Sequence, residues 1–304
     1  MNRRMWWCVL LAGLCLPDGG LFRTVQAEDR PITLPGCVQF ELQSAQGESY
    51  RIYLSVPSGP APASGDPVIY MTDGDSNFSL MYSAVQCQHS PRAIIVAVGY
   101  PEEDMAVRRE RRTYDLTPPT SEKFRQAQAG RAPTSRTGGQ AAFLAFLVDV
   151  VKPEVERRCQ VDPQRQVLFG HSFGGLFVLH ALFTRPEAFN VFVAASPSIW
   201  WNDCSVLEEA TAFEARAAKL TAPVQVLLNA GEREAPGFGE SPQRAQVLAS
   251  RKQVEHAQSL AQRLNAWNNP CLSAEFECFA REDHGSTLLP ACNRAVQAVL
   301  NRAR

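Results

Sequence analysis

Gly170-His171-Ser172-Phe173-Gly174-Gly175 carries the strongest local signal of the fold in this sequence. It follows an apolar run at residues 166–169 and precedes another at 176–182, which predicts a strand, a sharp turn and a helix. Glycines on both sides of Ser172 permit a turn too tight for a Cβ, and such a turn raises the serine hydroxyl above the sheet edge. The pattern therefore predicts a nucleophilic serine, against the simpler alternative of a glycine-rich turn with an incidental serine.

The rest of the chain alternates strands with helices. Residues 40–44 and 49–56 alternate apolar and polar side chains around Gln46-Gly47, which predicts an antiparallel hairpin at a sheet edge. Almost purely apolar runs at 68–71 and 93–98 are typical of central strands covered on both faces. Further strands are predicted at 191–195, 224–228 and 274–279, and helices at 140–158, 206–219, 251–266 and 287–302. This order predicts an α/β fold with a mostly parallel central sheet, an antiparallel N-terminal edge and helices on both faces.

One segment lacks either periodicity. Residues 117–139 are polar and contain Pro118, Pro119, Pro133 and paired glycines. Long loops in compact domains are usually functional, so this segment is predicted to be a loop that lines the substrate cleft.

The N-terminal residues have the features of an export signal. Arg3 and Arg4 precede an apolar stretch at 5–16, and a small-residue pattern ends at Ala27. We predict a secretory signal over residues 1–27, cleaved to leave 28–304 as a single catalytic domain outside the cytoplasm. The apolar stretch is too short to span a bilayer, and no later segment is long and uncharged enough, so no membrane insertion is expected after cleavage.

Composition excludes several classes of function. The formal net charge of −1 gives no general attraction to nucleic acid or to anionic membranes. Seven of the nine cysteines lie beyond residue 27, so up to three disulfides are expected, with at least one thiol left over. No C-x-x-C or H-x-x-x-H pattern is present, so neither a metal nor another cofactor is expected.

A serine nucleophile needs a base and an acid. His284 lies in a short polar turn, residues 282–286, between the last predicted strand and helix, and it follows Ser172 as α/β-hydrolase chain order requires. The acid is expected after the strand at 224–228, where Glu234 is preferred over Glu232. A Ser-His dyad without an acid stays open. His171 is too close to Ser172 along the chain to serve as its base and is predicted to be packed and hydrogen-bonded.

Two backbone N–H groups are expected to stabilise the oxyanion. One belongs to Phe173, which follows the nucleophile. The other is expected from the Gly74-Asp75 peptide after the strand at 68–71, because glycine leaves the backbone open to a substrate oxygen. The alternative for that peptide is a simple Asp-Gly turn.

Several motifs together resemble one family. The turn at residues 170–175, which has the form of a nucleophile elbow, is followed by Leu176. Four further motifs accompany this elbow: Tyr-Met-Thr-Asp-Gly-Asp at 70–75, Arg-Arg-Thr-Tyr-Asp-Leu-Thr-Pro at 111–118, Ser-Pro-Ser-Ile-Trp-Trp at 196–201 and Asp-His-Gly-Ser at 283–286. The chain thereby resembles the esterase D-like α/β-hydrolases and, within them, the periplasmic esterases that open the trilactone of enterobactin-type siderophores. The resemblance implies that Ser172 is the nucleophile, that His284 is the base and that Arg112 helps to place the ligand.

The resemblance also implies a substrate, a ferric catecholate siderophore, and a periplasmic setting shared with siderophore uptake components. A ferric tris-catecholate is strongly anionic, and four arginines that could meet it lie together: Arg108, Arg109, Arg111 and Arg112. Trp200 and Trp201 are candidates to pack against catechol rings, although at least one is expected in the core. The alternatives are a secreted carboxylesterase or acyltransferase on a feruloyl, acetyl or trehalose ester, and a protein that binds siderophore without cutting it.

Overall fold

A computed structural model describes residues 32–89, 92–127 and 136–300 of the chain. The predicted export signal lies outside these residues. From Leu34 onward the described residues form one compact unit. None of the helices among the described residues combines the length and apolar character that crossing a membrane requires.

The centre of the fold is an eight-stranded sheet in the order β1-β2-β4-β3-β5-β6-β7-β8. β2 runs antiparallel to both of its neighbours, and all other pairs are parallel. The predicted parallel sheet with an antiparallel N-terminal edge is therefore confirmed. The strands are β1 Cys37–Gln43, β2 Ser49–Ser55, β3 Asp66–Met71, β4 Ile94–Gly99, β5 Val161–His171, β6 Val191–Ala195, β7 Val224–Gly231 and β8 Leu272–Phe279.

Helices cover both faces of this sheet. Successive residues of β3 point to opposite sides, so Val68 and Tyr70 enter one core while Ile69 and Met71 enter the other. The first core is closed by α4 to α7 and α9, and the second by α1 and α10. The helices are α1 Gly74–Gln86, α2 Met105–Leu116, α3 Glu122–Ala127, α4 Gln140–Phe146, α5 Lys152–Arg158, α6 Phe173–Thr184, α7 Val206–Ala217, α8 Pro242–Arg251, α9 Gln253–Ala266 and α10 Leu288–Leu300.

The predicted helix at 140–158 contains an irregularity. α4 and α5 are joined by a π-helical segment, Leu147–Val151. Pro153 has no N–H to donate to the carbonyl four residues earlier, and just before it the backbone hydrogen bonds span five residues instead of four. The helix is therefore continuous in direction but not in hydrogen-bond pattern.

Four helices, α1, α2, α3 and α8, occupy segments that the sequence pattern did not assign to helices. The arginine-rich stretch forms α2, which Asp104 caps by accepting the N–H groups of Ala106 and Val107. α1 begins at Gly74, directly after Asp73. The predicted loop at 117–139 contains α3, while residues 128–135 lie outside the described part of the chain.

The cysteines carry free thiols throughout the described residues. All seven from Cys37 to Cys292 are unpaired, so the expected disulfides are not formed among them. Cys292 is buried on α10, and burial raises its thiol pKa to about 12. Cys292 therefore packs in the core, and its thiol is unreactive because it stays protonated.

Candidate active site

Ser172 lies in the turn between β5 and α6, with backbone angles φ 62° and ψ −116° that non-glycine residues seldom adopt. The turn is so tight that a Cβ on Gly170 would lie 2.2 Å from the carbonyl oxygen of Gly174. The Ser172 N–H donates to the carbonyl of Ala195 on β6 at 2.9 Å. These contacts hold the serine hydroxyl at the N-terminus of α6.

His284 lies within hydrogen-bond distance of both Ser172 and Glu234, so the predicted nucleophile, base and acid form one catalytic relay. His284 Nε2 is 2.9 Å from Ser172 Oγ, and His284 Nδ1 is 2.5 Å from Glu234 Oε2. A carboxylate can only accept, so the Nδ1 atom carries the proton that it donates to Glu234. Nε2 is then free to accept the hydroxyl proton of Ser172, which is the geometry of a general base beside a nucleophile.

Glu234 is almost fully buried, yet it is held in its charged form. Burial raises its pKa, but hydrogen bonds from His284, from Ser196 Oγ at 2.6 Å and from the Gly231 N–H at 2.8 Å outweigh that effect and lower it. Glu232 points elsewhere and accepts the N–H of Arg281 at 2.9 Å. The structure thus places Glu234, and not Glu232, on the imidazole.

Two side chains hold the loop of His284. Thr287 Oγ1 donates to the His284 carbonyl at 3.0 Å, and His171 Nε2 donates to the same oxygen at 2.7 Å. The two imidazole rings are in contact, with centroids 4.8 Å apart. Burial, together with the nearby His284, lowers the pKa of His171 to about 4, so His171 is neutral near pH 7. It is packed and hydrogen-bonded.

The residues expected at the oxyanion site begin two neighbouring helices. Phe173 is the first residue of α6, and Gly74 and Asp75 are the first two of α1, where backbone N–H groups have no acceptor within their helix. Thr72 lies against the elbow, since a Cβ on Gly174 would be 2.4 Å from its Oγ1. The Asp75 carboxylate accepts from the Tyr53 hydroxyl at 2.8 Å and from the Tyr100 N–H at 2.9 Å, and these bonds fix the start of α1.

Arg112 links the two helix starts. Its guanidinium forms a two-point ion pair with the Asp73 carboxylate, and Nη2 also donates to the His171 carbonyl at 3.3 Å. Its side chain is 27% exposed. Arg112 therefore braces the elbow, and only part of its guanidinium remains available to a ligand.

The other arginines of α2 are mostly engaged within the protein. Arg108 lies 3.9 Å from the Asp75 carboxylate. Arg111 pairs with Glu102 and lies over the ring of Tyr50. Arg109 is exposed without an ion pair among the described residues. Three of the four arginines, Arg108, Arg111 and Arg112, thus lie beside carboxylates of the protein. Contact of this cluster with an anionic ligand stays a prediction.

The two tryptophans have different surroundings. Trp201 is only 7% exposed, its ring contacts those of Phe173 and Phe124, and its indole N–H donates to Thr120 Oγ1 at 3.2 Å. Trp201 therefore supports the elbow from within the core, which corrects its expected role in ligand contact. Trp200 is half-buried and remains a candidate for ligand contact.

Sequence reasoning missed three buried polar residues of the site: Asp73, Ser196 and Thr287. Ser196 and Thr287 are fully buried with their hydroxyl oxygens 3.1 Å apart, so they join the acid and the base. Ser196 opens the Ser-Pro-Ser motif, which was a usable signal. Asp73 lies in the motif at 70–75, but that motif did not indicate its partner, because the ion pair with Arg112 spans 39 positions of the chain.

Nothing in the described part of the chain groups three His, Cys, Asp or Glu side chains as metal ligands would be grouped. Ser172, His284 and Glu234 project from loops that follow β5, β8 and β7, at the carboxyl edge of a parallel sheet. The fold and this relay define a serine hydrolase of the α/β class.

Comparison with known proteins also identifies the chain as an esterase. Residues 44–285 match the model of the Esterase family. The chain is 36% identical over 290 residues to the ferri-bacillibactin esterase BesA of Bacillus subtilis, covering 92% of this chain and 94% of that protein. It is 34% identical over 273 residues to the siderophore enterobactin esterase of Emericella nidulans, covering 83% and 89%. The crystal structure of BES protein from Bacillus cereus superposes with a TM-score of 0.76 at 33% identity, covering 90% of this chain and 98% of that one. The protein belongs to the Esterase family.

Proposed function

We propose that this esterase hydrolyses the ester bonds of a catecholate trilactone siderophore, in its ferric form, and so assists iron release. The observation that carries the proposal is the Ser172-His284-Glu234 relay in a chain whose relatives are named siderophore esterases. A linear product would hold iron less tightly than the macrocycle, because the ring no longer preorganises its catecholates.

In the proposed mechanism, Ser172 Oγ attacks a lactone carbonyl carbon while His284 Nε2 takes the hydroxyl proton. The N–H groups of Phe173 and of the Gly74-Asp75 peptide stabilise the oxyanion of the tetrahedral intermediate. The intermediate collapses, the ester C–O bond breaks, and His284 returns its proton to the leaving alkoxide.

Hydrolysis of the acyl-enzyme repeats these proton transfers. Water attacks the acyl carbon as His284 takes one of its protons, and the Ser172 oxygen leaves with that proton. The carboxylate of Glu234 stabilises the imidazolium that forms in both halves of the reaction.

We further propose that the enzyme acts in the periplasm, alongside siderophore uptake components, after cleavage of the signal at residues 1–27. Cell fractionation with an antibody against the mature chain tests this location. Recovery of the uncleaved chain in the cytoplasm would contradict it.

Mass spectrometry of the products after incubation with ferric enterobactin tests the activity. The native protein is expected to yield linear products that carry one added water for each bond cut, whereas Ser172→Ala yields none and still binds the ligand. Turnover of simple aryl esters with an intact siderophore would instead indicate a general carboxylesterase. Equal ligand sequestration by both proteins with no product from either would indicate a binding protein.

A further inference from the structure

The segment after β6 leads from the nucleophile to a half-buried aromatic ring, that of Trp200. Ser198 Oγ is 3.4 Å from Ser172 Oγ, and Trp201 packs on Phe173 with ring centroids 4.7 Å apart. Trp200 is the next ring outward, 5.7 Å from Trp201. Because Trp201 is buried and Trp200 only partly so, Trp200 forms the solvent-facing end of an aromatic row that begins beside the nucleophile.

Arg251 lies against this outer ring. It is the last residue of α8, and its guanidinium carbon is 4.2 Å from the Trp200 ring centroid. The chain then breaks at Lys252, whose φ of 46° separates α8 from α9. Gln253 is buried and donates from Nε2 to the Pro197 carbonyl at 2.5 Å. This bond holds the helix junction, and Arg251 with it, against the segment that carries Trp200.

The charge of Arg251 is not neutralised by an ion pair. Within residues 32–89, 92–127 and 136–300, Arg251 has a contact with the Trp200 ring and none with a carboxylate, in contrast to Arg112, which is bound to Asp73. Burial and the nearby Arg244 lower the pKa of Arg251, and the charge of Glu234, which forms no ion pair with it, acts in the opposite direction. A guanidinium that lies against a ring uses none of its five N–H donors in that contact, so they remain available to an anion.

We propose that Arg251 and Trp200 form a subsite for an anionic aromatic group of the substrate, such as one catecholate arm of a ferric siderophore. This inference rests on the proposed function. The guanidinium N–H groups donate to the catecholate oxygens, and the aromatic row offers apolar surface to the catechol ring. Arg251 is then a specificity-determining residue that favours anionic over neutral esters.

Binding of a ferric tris-catecholamide, which contains no ester, tests the subsite directly by quenching of tryptophan fluorescence. Arg251→Gln is expected to raise the Kd about tenfold, with a smaller salt dependence than the native protein, since one charge-assisted contact is lost. Arg251→Lys, which keeps the charge but not the planar donors, is expected to give an intermediate Kd.

The matched control is Arg263→Gln. Arg263 also lies over a tryptophan ring, that of Trp267. It is on α9, about 15 Å along the helix axis from Gln253, and so it lies away from the proposed subsite. It is expected to leave the Kd unchanged. As a second readout, the ratio of kcat/KM for the ferric trilactone to that for 4-nitrophenyl butyrate should fall about tenfold in Arg251→Gln.

The outcomes separate this inference from the proposed function. Native binding with an unchanged Kd in Arg251→Gln overturns the subsite and leaves the proposed function intact. Weaker binding by Arg251→Gln, with no cleavage of the trilactone by the native protein, supports the subsite and overturns the proposed function. Absence of native binding to the tris-catecholamide overturns the subsite, and cleavage of the trilactone then decides the function separately.

Discussion

A single short turn at the end of β7 selects the acid of the relay. Glu232 and Glu234 both follow β7, and their spacing along the chain does not separate them. The short 3₁₀ segment Glu232–Glu234 turns the two carboxylates in different directions. The Glu234 carboxylate lies 2.5 Å from the imidazole of His284, and the Glu232 carboxylate accepts the backbone N–H of Arg281.

Glu234→Gln is therefore expected to lower kcat by about 10³ to 10⁴, because the amide no longer favours the Nδ1–H tautomer or stabilises the imidazolium. Steady-state kinetics on 4-nitrophenyl butyrate provide the measurement. Glu232→Gln is the matched control and should retain native kcat within about threefold. Equal losses in the two variants would argue that the effect is structural, and no loss in either would favour a Ser-His dyad.

At the scale of elements, the elbow depends on the close approach of β5 and α6. A Cβ on Gly170 meets the Gly174 carbonyl oxygen at 2.2 Å, and a Cβ on Gly175 meets the Ala195 carbonyl oxygen at 2.8 Å. These are backbone atoms, so no side chain can move aside to make room. Gly170 and Gly175 are therefore required by packing.

Gly170→Ala is expected to destabilise the protein by about 3 kcal/mol, since the added methyl group forces strand and helix apart. Urea unfolding followed by circular dichroism measures the free energy. Gly285→Ala serves as the control, because its Cβ meets only Asp283 Oδ1 at 3.6 Å and should change the free energy of unfolding little. Similar stability in the two variants would contradict the tight contact at the elbow.

At the scale of the whole molecule, one histidine links stability to pH. The folded protein holds His171 neutral, with a pKa of about 4 compared with 6.5 in a model peptide. Between these values the unfolded chain takes up a proton that the folded chain does not. The free energy of unfolding should therefore fall as the pH decreases from 6.5 towards 4, and this contribution is fully present only above pH 6.5.

His171→Gln is expected to remove about 2 kcal/mol of the loss in stability between pH 7 and pH 5. Urea unfolding at the two pH values gives the comparison. His89→Gln, at an exposed position after α1, should keep the native difference. An unchanged difference in His171→Gln would show that His171 is already protonated in the folded state at pH 5.

Short windows of sequence were enough to predict all eight strands and the helix after the serine turn, and to propose Ser172 and His284 as nucleophile and base, because these features depend on local periodicity and on glycines beside a tight turn. The helices α1, α2, α3 and α8 were not predicted in this way. Positions 166–182 and 282–286 contain those signals within short windows. The antiparallel hairpin was predictable for the same reason, since its alternation and its turn are adjacent in the chain.

The partners of the polar and charged side chains at the site could be identified only from the folded structure. The hydrogen-bonded pairs are separated by 38 to 91 positions of the chain: Arg112 with Asp73, Ser196 with Glu234, and Ser196 with Thr287. The contact of Arg251 with the Trp200 ring is also long-range. Such contacts arise where loops from different strands meet at one edge of the sheet, and no local pattern encodes that meeting. The ion pairs of the α2 arginines were therefore not predictable from the sequence, and neither was the contact of Arg251 with the Trp200 ring. Local sequence thus specifies the catalytic serine and its turn, and long-range packing decides what surrounds them.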